Sequence, residues 1–147
     1  MVCPVTLSFA DLGGRAALQR VNRVFYDKVY ADPWLSRFFT EVAQQHIEDQ
    51  QTDFMQGALG GPKVFRGHTP RSAHRHMFIS QELFERRHAL LRDALDEAGV
   101  CPELRTRWLE IDAAFRGVVT KRDPGQCRAR NALEGVVVID RPRGVVA

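Results

Sequence analysis

Helix-breaking residues divide the first 120 residues of this chain into short segments, and no other feature limits its fold as much. Glycine and proline mark the segment ends, at Gly13-Gly14, Asp32-Pro33, Gly60-Gly61-Pro62 and Gly99. Within the segments, apolar residues recur with the period of an amphipathic helix, and no strand pattern competes before residue 135. The sequence therefore predicts an all-α fold.

The N-terminal half is predicted to contain two long helices joined by a turn. Ser8 and Asp11 suit the cap of a short first helix that ends at the double glycine. A long helix follows over residues 15–30, and a helical turn over residues 34–39. Thr40 then suits the N-cap of a helix that extends to about Leu59.

The C-terminal half is predicted to start with a loop and a short helix. The loop covers residues 62–69, and Pro70 takes the first position of the short helix. Ser80 opens a longer helix that Gly99 ends, and Pro102 opens a final helix of about four turns. The apolar stripe of that final helix consists of Leu104, Trp108, Ile111, Phe115 and Val118.

A basic tail follows the helices, which suggests a main domain over residues 1–120 and an extension over 121–147. The extension contains six basic and three acidic residues, so its balance of +3 equals the net charge of the whole chain. No aromatic residue lies among its arginines, so we expect no nucleic-acid partner. We expect an irregular or disordered tail, with a small strand at Gly135–Ile139 as the alternative.

Composition excludes several classes of protein. A chain of 147 residues suits one domain with its own core. It contains no apolar run of the roughly 20 residues that a membrane helix needs and no basic-then-apolar leader, so we expect no membrane partner and a cytoplasmic location. Cys3, Cys101 and Cys127 have no CxxC or Cys/His spacing, which argues against a zinc cluster or a haem-attachment motif.

These residues together resemble a truncated haemoglobin, the shortened globin with a two-on-two helical sandwich around haem. The resemblance covers about residues 7–120. Its motifs, in family order, are Phe25-Tyr26, Ala31-Asp32-Pro33, Phe38-Phe39, Ala58-Leu59-Gly60-Gly61-Pro62, Gly67, and His74 with Ile79 five residues later.

Three positions make the chain most similar to the family's first group. Tyr26 and Gln51 match its distal tyrosine and glutamine, and Ile47 matches an apolar residue one turn before the glutamine. Other groups place a tryptophan where this chain has Arg87. That arginine is expected either to point outward or to meet a haem propionate.

The resemblance implies haem b as the cofactor and His74 as the iron ligand. The second ring nitrogen of His74 is then expected to donate a hydrogen bond to a backbone carbonyl. Tyr26 and Gln51 would stabilise O2 with an O–H and an N–H donor. The resemblance also places Arg71 at a propionate, and the residues around the porphyrin are Phe25, Phe39, Ile47, Phe54, Met55, Ile79 and Phe84.

Alternatives remain open for several of these residues. His76 is the rival for the iron, and His46 is a candidate sixth ligand that would close the distal position. Tyr26 alone would suit an ordinary core tyrosine, and Gln51 would suit a solvated face shared with its neighbouring glutamines.

The function implied by the resemblance is binding of O2, NO and CO, with nitric oxide dioxygenation as the expected chemistry. Turnover would require a separate electron donor, because the chain contains no flavin or dinucleotide motif. The alternatives are a gas or redox sensor that acts on a partner through the tail, peroxidase-like or nitrite-reducing activity, and a helical interaction module without haem.

Overall fold

Helices make up nearly all the regular structure of the chain, in a computed structural model that describes residues 7–145. The six α-helices are α1 (Gly14–Ala31), α2 (Gln44–Ala58), α3 (Pro70–His74), α4 (Gln81–Ala98), α5 (Pro102–Ala114) and α6 (Arg116–Val119). Short 3-10 helices cover Leu35–Phe39 and Pro124–Gln126. Residues 7–145 form no strand, and the predicted all-α class is confirmed.

Two helix pairs enclose the core. Helix α1 packs against both α2 and α4, and α4 packs against α5, so the pairs α1/α2 and α4/α5 lie on each other. The largest fully buried apolar side chains are Phe25, Leu18, Leu91, Leu95, Leu104, Val21 and Val29. This is the two-on-two arrangement that the sequence predicts.

Local capping signals correctly predict the start of α3 and both ends of α4. The Thr69 side chain accepts a hydrogen bond from the Ser72 backbone N–H at 3.3 Å and caps α3. Ser80 caps α4 in the same way through the Leu83 N–H at 3.2 Å. Gly99 ends α4 with a left-handed φ of 66°, a conformation that glycine adopts without strain.

The predicted first helix is wrong. Ser8 and Asp11 do exchange the expected pair of backbone-to-side-chain hydrogen bonds, at 2.9 and 3.1 Å. The residues that follow form only consecutive turns before α1 begins at Gly14. A cap needs an apolar helical face behind it, and this segment is too short to supply one.

The prediction that Thr40 caps α2 is also wrong, because α2 begins four residues later at Gln44. The Tyr30 hydroxyl donates a hydrogen bond to the Val42 carbonyl at 2.7 Å, which holds the turn just before α2 against α1. Ala43 then takes an extended backbone and serves as the N-cap residue.

The final helix is interrupted rather than continuous. It ends at Ala114, and Phe115 has a backbone of φ −83° and ψ −6°, after which α6 completes one further turn. The Phe115 ring lies 5.7 Å from the Phe54 ring, between centroids. The helix is therefore interrupted at Phe115, and the prediction of an unbroken four-turn helix was wrong.

The tail is irregular but packs along the segment that follows α3. Instead of a strand at Gly135–Ile139, it forms an isolated parallel bridge between Met77 and Val137. The Trp34 indole N–H also donates a hydrogen bond to the Ile139 carbonyl at 3.0 Å. The domain boundary at residue 120 stays a prediction. No helix within residues 7–145 has the length and apolar character needed to cross a membrane.

Asp32 joins α1, the following turn and α4. Its carboxylate accepts hydrogen bonds from the backbone N–H groups of Trp34 and Leu35, at 2.9 and 2.8 Å. It also pairs with the Arg86 guanidinium at 2.7 Å, and only 7% of the Asp32 side chain is exposed. One buried carboxylate therefore satisfies three donors from two elements.

We predict that Asp32→Ala lowers the free energy of unfolding by about 2 to 4 kcal/mol, because two N–H groups and a guanidinium lose their acceptor. Urea denaturation measures the change. Asp27→Ala is the matched control, since Asp27 is an exposed aspartate of the same helix, and its effect should stay below about 1 kcal/mol. Equal effects of the two substitutions would contradict this role for Asp32.

Candidate haem site

His74 is the last residue of α3, and one of its ring nitrogens already makes a hydrogen bond. Its Nδ1 lies 2.7 Å from the Pro70 carbonyl oxygen. A carbonyl only accepts, so Nδ1 carries the hydrogen and Nε2 keeps an open lone pair. This backbone hydrogen bond is the one expected for a metal-binding histidine.

His74 is also held in its neutral form. Burial lowers the pKa of His74 to about 4; the charges of Arg87, Lys121 and His76 act in the same direction, and the hydrogen bond to Pro70 opposes them. The imidazole is therefore uncharged at pH 7, which is the form that binds a metal ion.

The two alternative histidines lie elsewhere. His76 is only 3% exposed, and its Nε2 lies 3.6 Å from a Glu134 carboxylate oxygen in the tail. His46 is exposed on α2. His76 thus faces the tail, and His46 lies on the outer side of its helix.

Lys121 and the tail hold the segment around His74 in place. The Lys121 ammonium donates hydrogen bonds to the His74 and Met77 carbonyls, at 2.9 and 2.8 Å. The tail backbone adds bonds from Arg128 N–H to the Arg75 carbonyl at 2.8 Å and from Val137 N–H to the His76 carbonyl at 2.7 Å. The carbonyls at the C-terminal end of a helix lack partners within the helix. In α3 they receive hydrogen bonds from residues more than 45 positions later.

Tyr26 lies in an aromatic cluster on the inner face of α1. It is 3% exposed, and its ring centroid lies 4.8 Å from that of Phe25 and 6.1 Å from that of Phe39. Burial raises the pKa of Tyr26 to about 12, against the opposing charge and hydrogen bond of Arg87. The hydroxyl therefore stays protonated and able to donate at neutral pH.

Arg87 turns inward from α4 and does not point to solvent. Its guanidinium lies over the Phe25 ring, 5.1 Å from the centroid, and pairs with Asp112 at 2.5 Å. Asp112 also accepts a hydrogen bond from His88 Nδ1 at 2.8 Å. Burial raises the pKa of Asp112, but Arg87 outweighs it, so the carboxyl pKa lies below its ordinary value. A charged, hydrogen-bonded group thus lies next to Tyr26.

Some of the other predicted residues pack against the core that contains Tyr26, and others do not. Ile47 and Phe54 of α2, together with Ile79, are half-buried and pack against the core that contains Tyr26. Gln51 is half-buried on α2, between Ile47 and Phe54, and Met55 is 4% exposed. Phe84 is buried beneath the Arg116 guanidinium, 4.9 Å from its centroid, outside the main apolar cluster. Arg71 is exposed.

Asp112 and Lys121 were missed by the reasoning from sequence. Asp112 follows Leu104 and Trp108 at i+8 and i+4, so it is a carboxylate on an apolar stripe. A carboxylate on an apolar stripe indicates a buried partner of opposite charge, so the sequence could have predicted an ion pair at Asp112. Lys121 carries no comparable signal, since its three acceptors are backbone carbonyls.

Comparison with known proteins gives a family for this arrangement. Residues 7–121 match the family model described as bacterial-like globin. A group 1 truncated haemoglobin of Tetrahymena thermophila is 33% identical over 96 residues, which cover 65% of this chain and 79% of that protein. The chain is a truncated haemoglobin.

A second relative and two solved structures agree with this assignment. A group 1 truncated haemoglobin of Chlamydomonas moewusii is 37% identical over 68% of this chain, which spans only 59% of that relative. The 2/2 haemoglobin of a Synechococcus species, solved in the cyanomet state with covalently attached haem, superposes with a TM-score of 0.70 at 30% identity, covering 78% of this chain and 98% of that one. The truncated haemoglobin of Tetrahymena pyriformis, in the iron(III) form of a tyrosine-to-phenylalanine mutant, gives 0.70 at 28% identity, over 78% and 97%.

The Tetrahymena pyriformis structures include mutants that allow a comparison of spacing. Two separate glutamines were changed there to glutamate, at positions 21 and 25 residues after the mutated tyrosine. In this chain Ile47 and Gln51 follow Tyr26 by the same 21 and 25 residues. The spacing of Tyr26 and Gln51 is thus repeated in a solved relative.

Haem is the cofactor of this truncated haemoglobin, and small gas ligands such as O2 are what globins bind through it. The residues present fit that group. A neutral histidine with an open nitrogen and a cluster of aromatic and aliphatic side chains are the parts that haem binding requires. The buried Tyr26 phenol adds a hydrogen-bond donor that could act on a gas ligand.

We predict that Lys121→Met raises amide hydrogen exchange across residues 70–79 by roughly tenfold, because it removes charge-assisted hydrogen bonds to two of their carbonyls. Exchange followed by mass spectrometry measures the change. Lys63→Met, at an exposed loop lysine, serves as the control and should leave that segment unaffected. If both variants exchange like the wild type, Lys121 does not hold α3.

Proposed function

We propose that this truncated haemoglobin binds O2 and NO at a haem b held by His74 and oxidises NO to nitrate. The observation that carries this proposal is the pairing of two groups, an open Nε2 on a neutral His74 and a buried Tyr26 hydroxyl that stays protonated. Haem, when bound, supplies an iron that takes up diatomic ligands reversibly and gives one electron to the conversion of O2 and NO into nitrate.

The role of His74 in this proposal is to bind the iron and fix its orientation. The hydrogen bond from Nδ1 to the Pro70 carbonyl sets the tautomer and makes Nε2 the better donor. Lys121 holds the carbonyl end of the same helix. The ring is therefore positioned by groups on both ends of a five-residue helix.

The role of Tyr26 is to donate a hydrogen bond to the ligand. Burial raises the pKa of Tyr26 to about 12, so its O–H keeps the proton and remains available to a ligand. Gln51 supports the proposal as a second donor, on the α2 face shared with Ile47 and Phe54. A ligand with partial negative charge, such as O2 in this pocket, would be retained by both groups.

The aromatic and aliphatic residues of the cleft exclude water. Phe25, Phe39, Phe54 and Ile79 supply apolar surface around Tyr26, and exclusion of water strengthens the hydrogen bonds made there. Proposed contacts of the porphyrin also include Ile47, Met55 and Phe84, with Arg71 as an exposed partner for a propionate. Each nitrate formed leaves the iron one electron short, so a reductase must act as a separate partner, and we propose the cytoplasm as the compartment.

A second candidate function, gas or redox sensing through the tail, is favoured by a specific observation. The backbone of residues 128–137 bonds directly to the residues that follow His74, through Arg75, His76 and Phe78. A movement of α3 on ligand binding would therefore be transmitted to the tail directly through these backbone hydrogen bonds. This second function differs from the first in requiring no chemical product.

We predict that Tyr26→Phe and Gln51→Ala each raise the O2 dissociation rate by roughly 2- to 10-fold, because each removes one hydrogen bond to the ligand. Stopped-flow displacement of O2 by CO measures the rate. Tyr30→Phe is the matched control, because the Tyr30 hydroxyl bonds to the Val42 carbonyl instead. Dissociation rates that match this control in both variants would exclude Tyr26 and Gln51 as ligand donors.

We predict that the oxygenated ferrous protein, mixed with one equivalent of NO, yields close to one equivalent of nitrate and ferric protein. Rapid mixing with absorption spectroscopy follows the haem, and ion chromatography measures nitrate. His74→Ala should lose the axial histidine spectrum and this reaction together. If O2 is released without nitrate formation, dioxygenation is wrong, and the sensing function becomes the better account.

A further inference from the structure

Arg87 is a charged side chain that lies among aromatic rings, and its contacts show which groups its charge can influence. It lies over Phe25, whose ring packs edge-on against Tyr26 at 4.8 Å. Only 33% of its side chain is exposed. Removing a guanidinium from water is unfavourable unless a partner or a ligand compensates it, so this placement needs an explanation.

Asp112 compensates the charge from one side only. The carboxylate binds Arg87 Nη1 at 2.5 Å and is itself bound by His88 at 2.8 Å, on the side of α5. Asp112 engages only Nη1 of the guanidinium. The guanidinium also lies over Phe25, whose ring contacts Tyr26, so its positive charge lies near the phenol.

The pKa of Tyr26 is consistent with this placement. Burial is the main influence on that pKa and raises it, whereas the charge of Arg87 lowers it. Asp112 raises the same pKa with a smaller effect than that of Arg87. The phenol is therefore influenced more by the positive charge of Arg87 than by the negative charge of Asp112.

We propose that Arg87 is a specificity-determining residue that raises the affinity of this site for small anions without raising its affinity for neutral diatomic ligands. Azide, fluoride and nitrite represent the chemical class. The inference rests on the proposed function, since the anion must bind opposite His74, next to Tyr26. Arg87 acts through its own positive charge, which its position over Phe25 places beside Tyr26.

The experiment compares anionic and neutral ligands in one protein. Azide and fluoride affinities are measured by absorption titration of the ferric haem protein, and CO affinity is measured with the ferrous form, at fixed pH and ionic strength. Arg87→Met should weaken azide and fluoride binding by roughly 10-fold, the value of one charge-assisted hydrogen bond, and change CO affinity by less than about 3-fold. Arg92→Met, at an exposed arginine of the same helix, should change neither.

Two further variants keep the result interpretable. Arg87→Met leaves the Asp112 carboxylate without its cation, so the double variant Arg87→Met/Asp112→Asn is measured as well and should show the same selective loss. Arg87→Lys keeps the charge, and it should bind the anions more tightly than Arg87→Met.

Three outcomes would overturn the inference. Parallel weakening of azide, fluoride and CO would assign Arg87 to the shape of the pocket. Unchanged anion affinity with faster haem loss would assign it to a haem propionate. A wild-type protein that takes up no haem would contradict the proposed function itself, and it is recognised before any titration from the absence of a haem spectrum.

Discussion

A helix of five residues is too short to be stable by itself in water, so the orientation of His74 depends on groups outside α3. Thr69 caps its first turn, and Lys121 satisfies the carbonyls at its last. Pro70 acts twice, because its fixed φ starts the helix and its carbonyl accepts the hydrogen bond from His74. The nitrogen that we propose as the iron ligand is thus positioned by a short helix that the rest of the chain stabilises.

The surroundings of Tyr26 depend on charged groups from α4 and α5 and not on α1 alone. His88 and Arg87 both donate to Asp112, and the Arg87 guanidinium lies over Phe25, next to Tyr26. His88, Arg87 and Asp112 each have a partner, as buried polar groups require. Helices α4 and α5 therefore determine which charge lies beside the Tyr26 hydroxyl of α1.

The sequence was sufficient for features that depend on neighbouring residues and insufficient where distant residues decide. Pro70, Ser80 and Gly99 act within one helical turn, and their roles were predicted correctly. The start of α2 was missed because Tyr30 holds Val42 across 12 residues, which overrides the local preference of Thr40 for a cap. The docking of the tail was missed for the same reason, since its bonds to Arg75 cross more than 50 residues. In the site, family motifs pointed to His74 and Tyr26, but the direction of Arg87 depends on Asp112, 25 residues later.

Stability alone does not explain why an arginine and an aspartate lie beside Tyr26. Replacing a buried ion pair by apolar residues of similar volume is often neutral or stabilising, because the desolvation of two charges offsets their attraction. Leucine at both positions would continue the apolar stripes of α4 and α5. What apolar side chains cannot do is place a positive charge beside Tyr26. The pair Arg87 and Asp112 is therefore better explained by the ligand than by the fold.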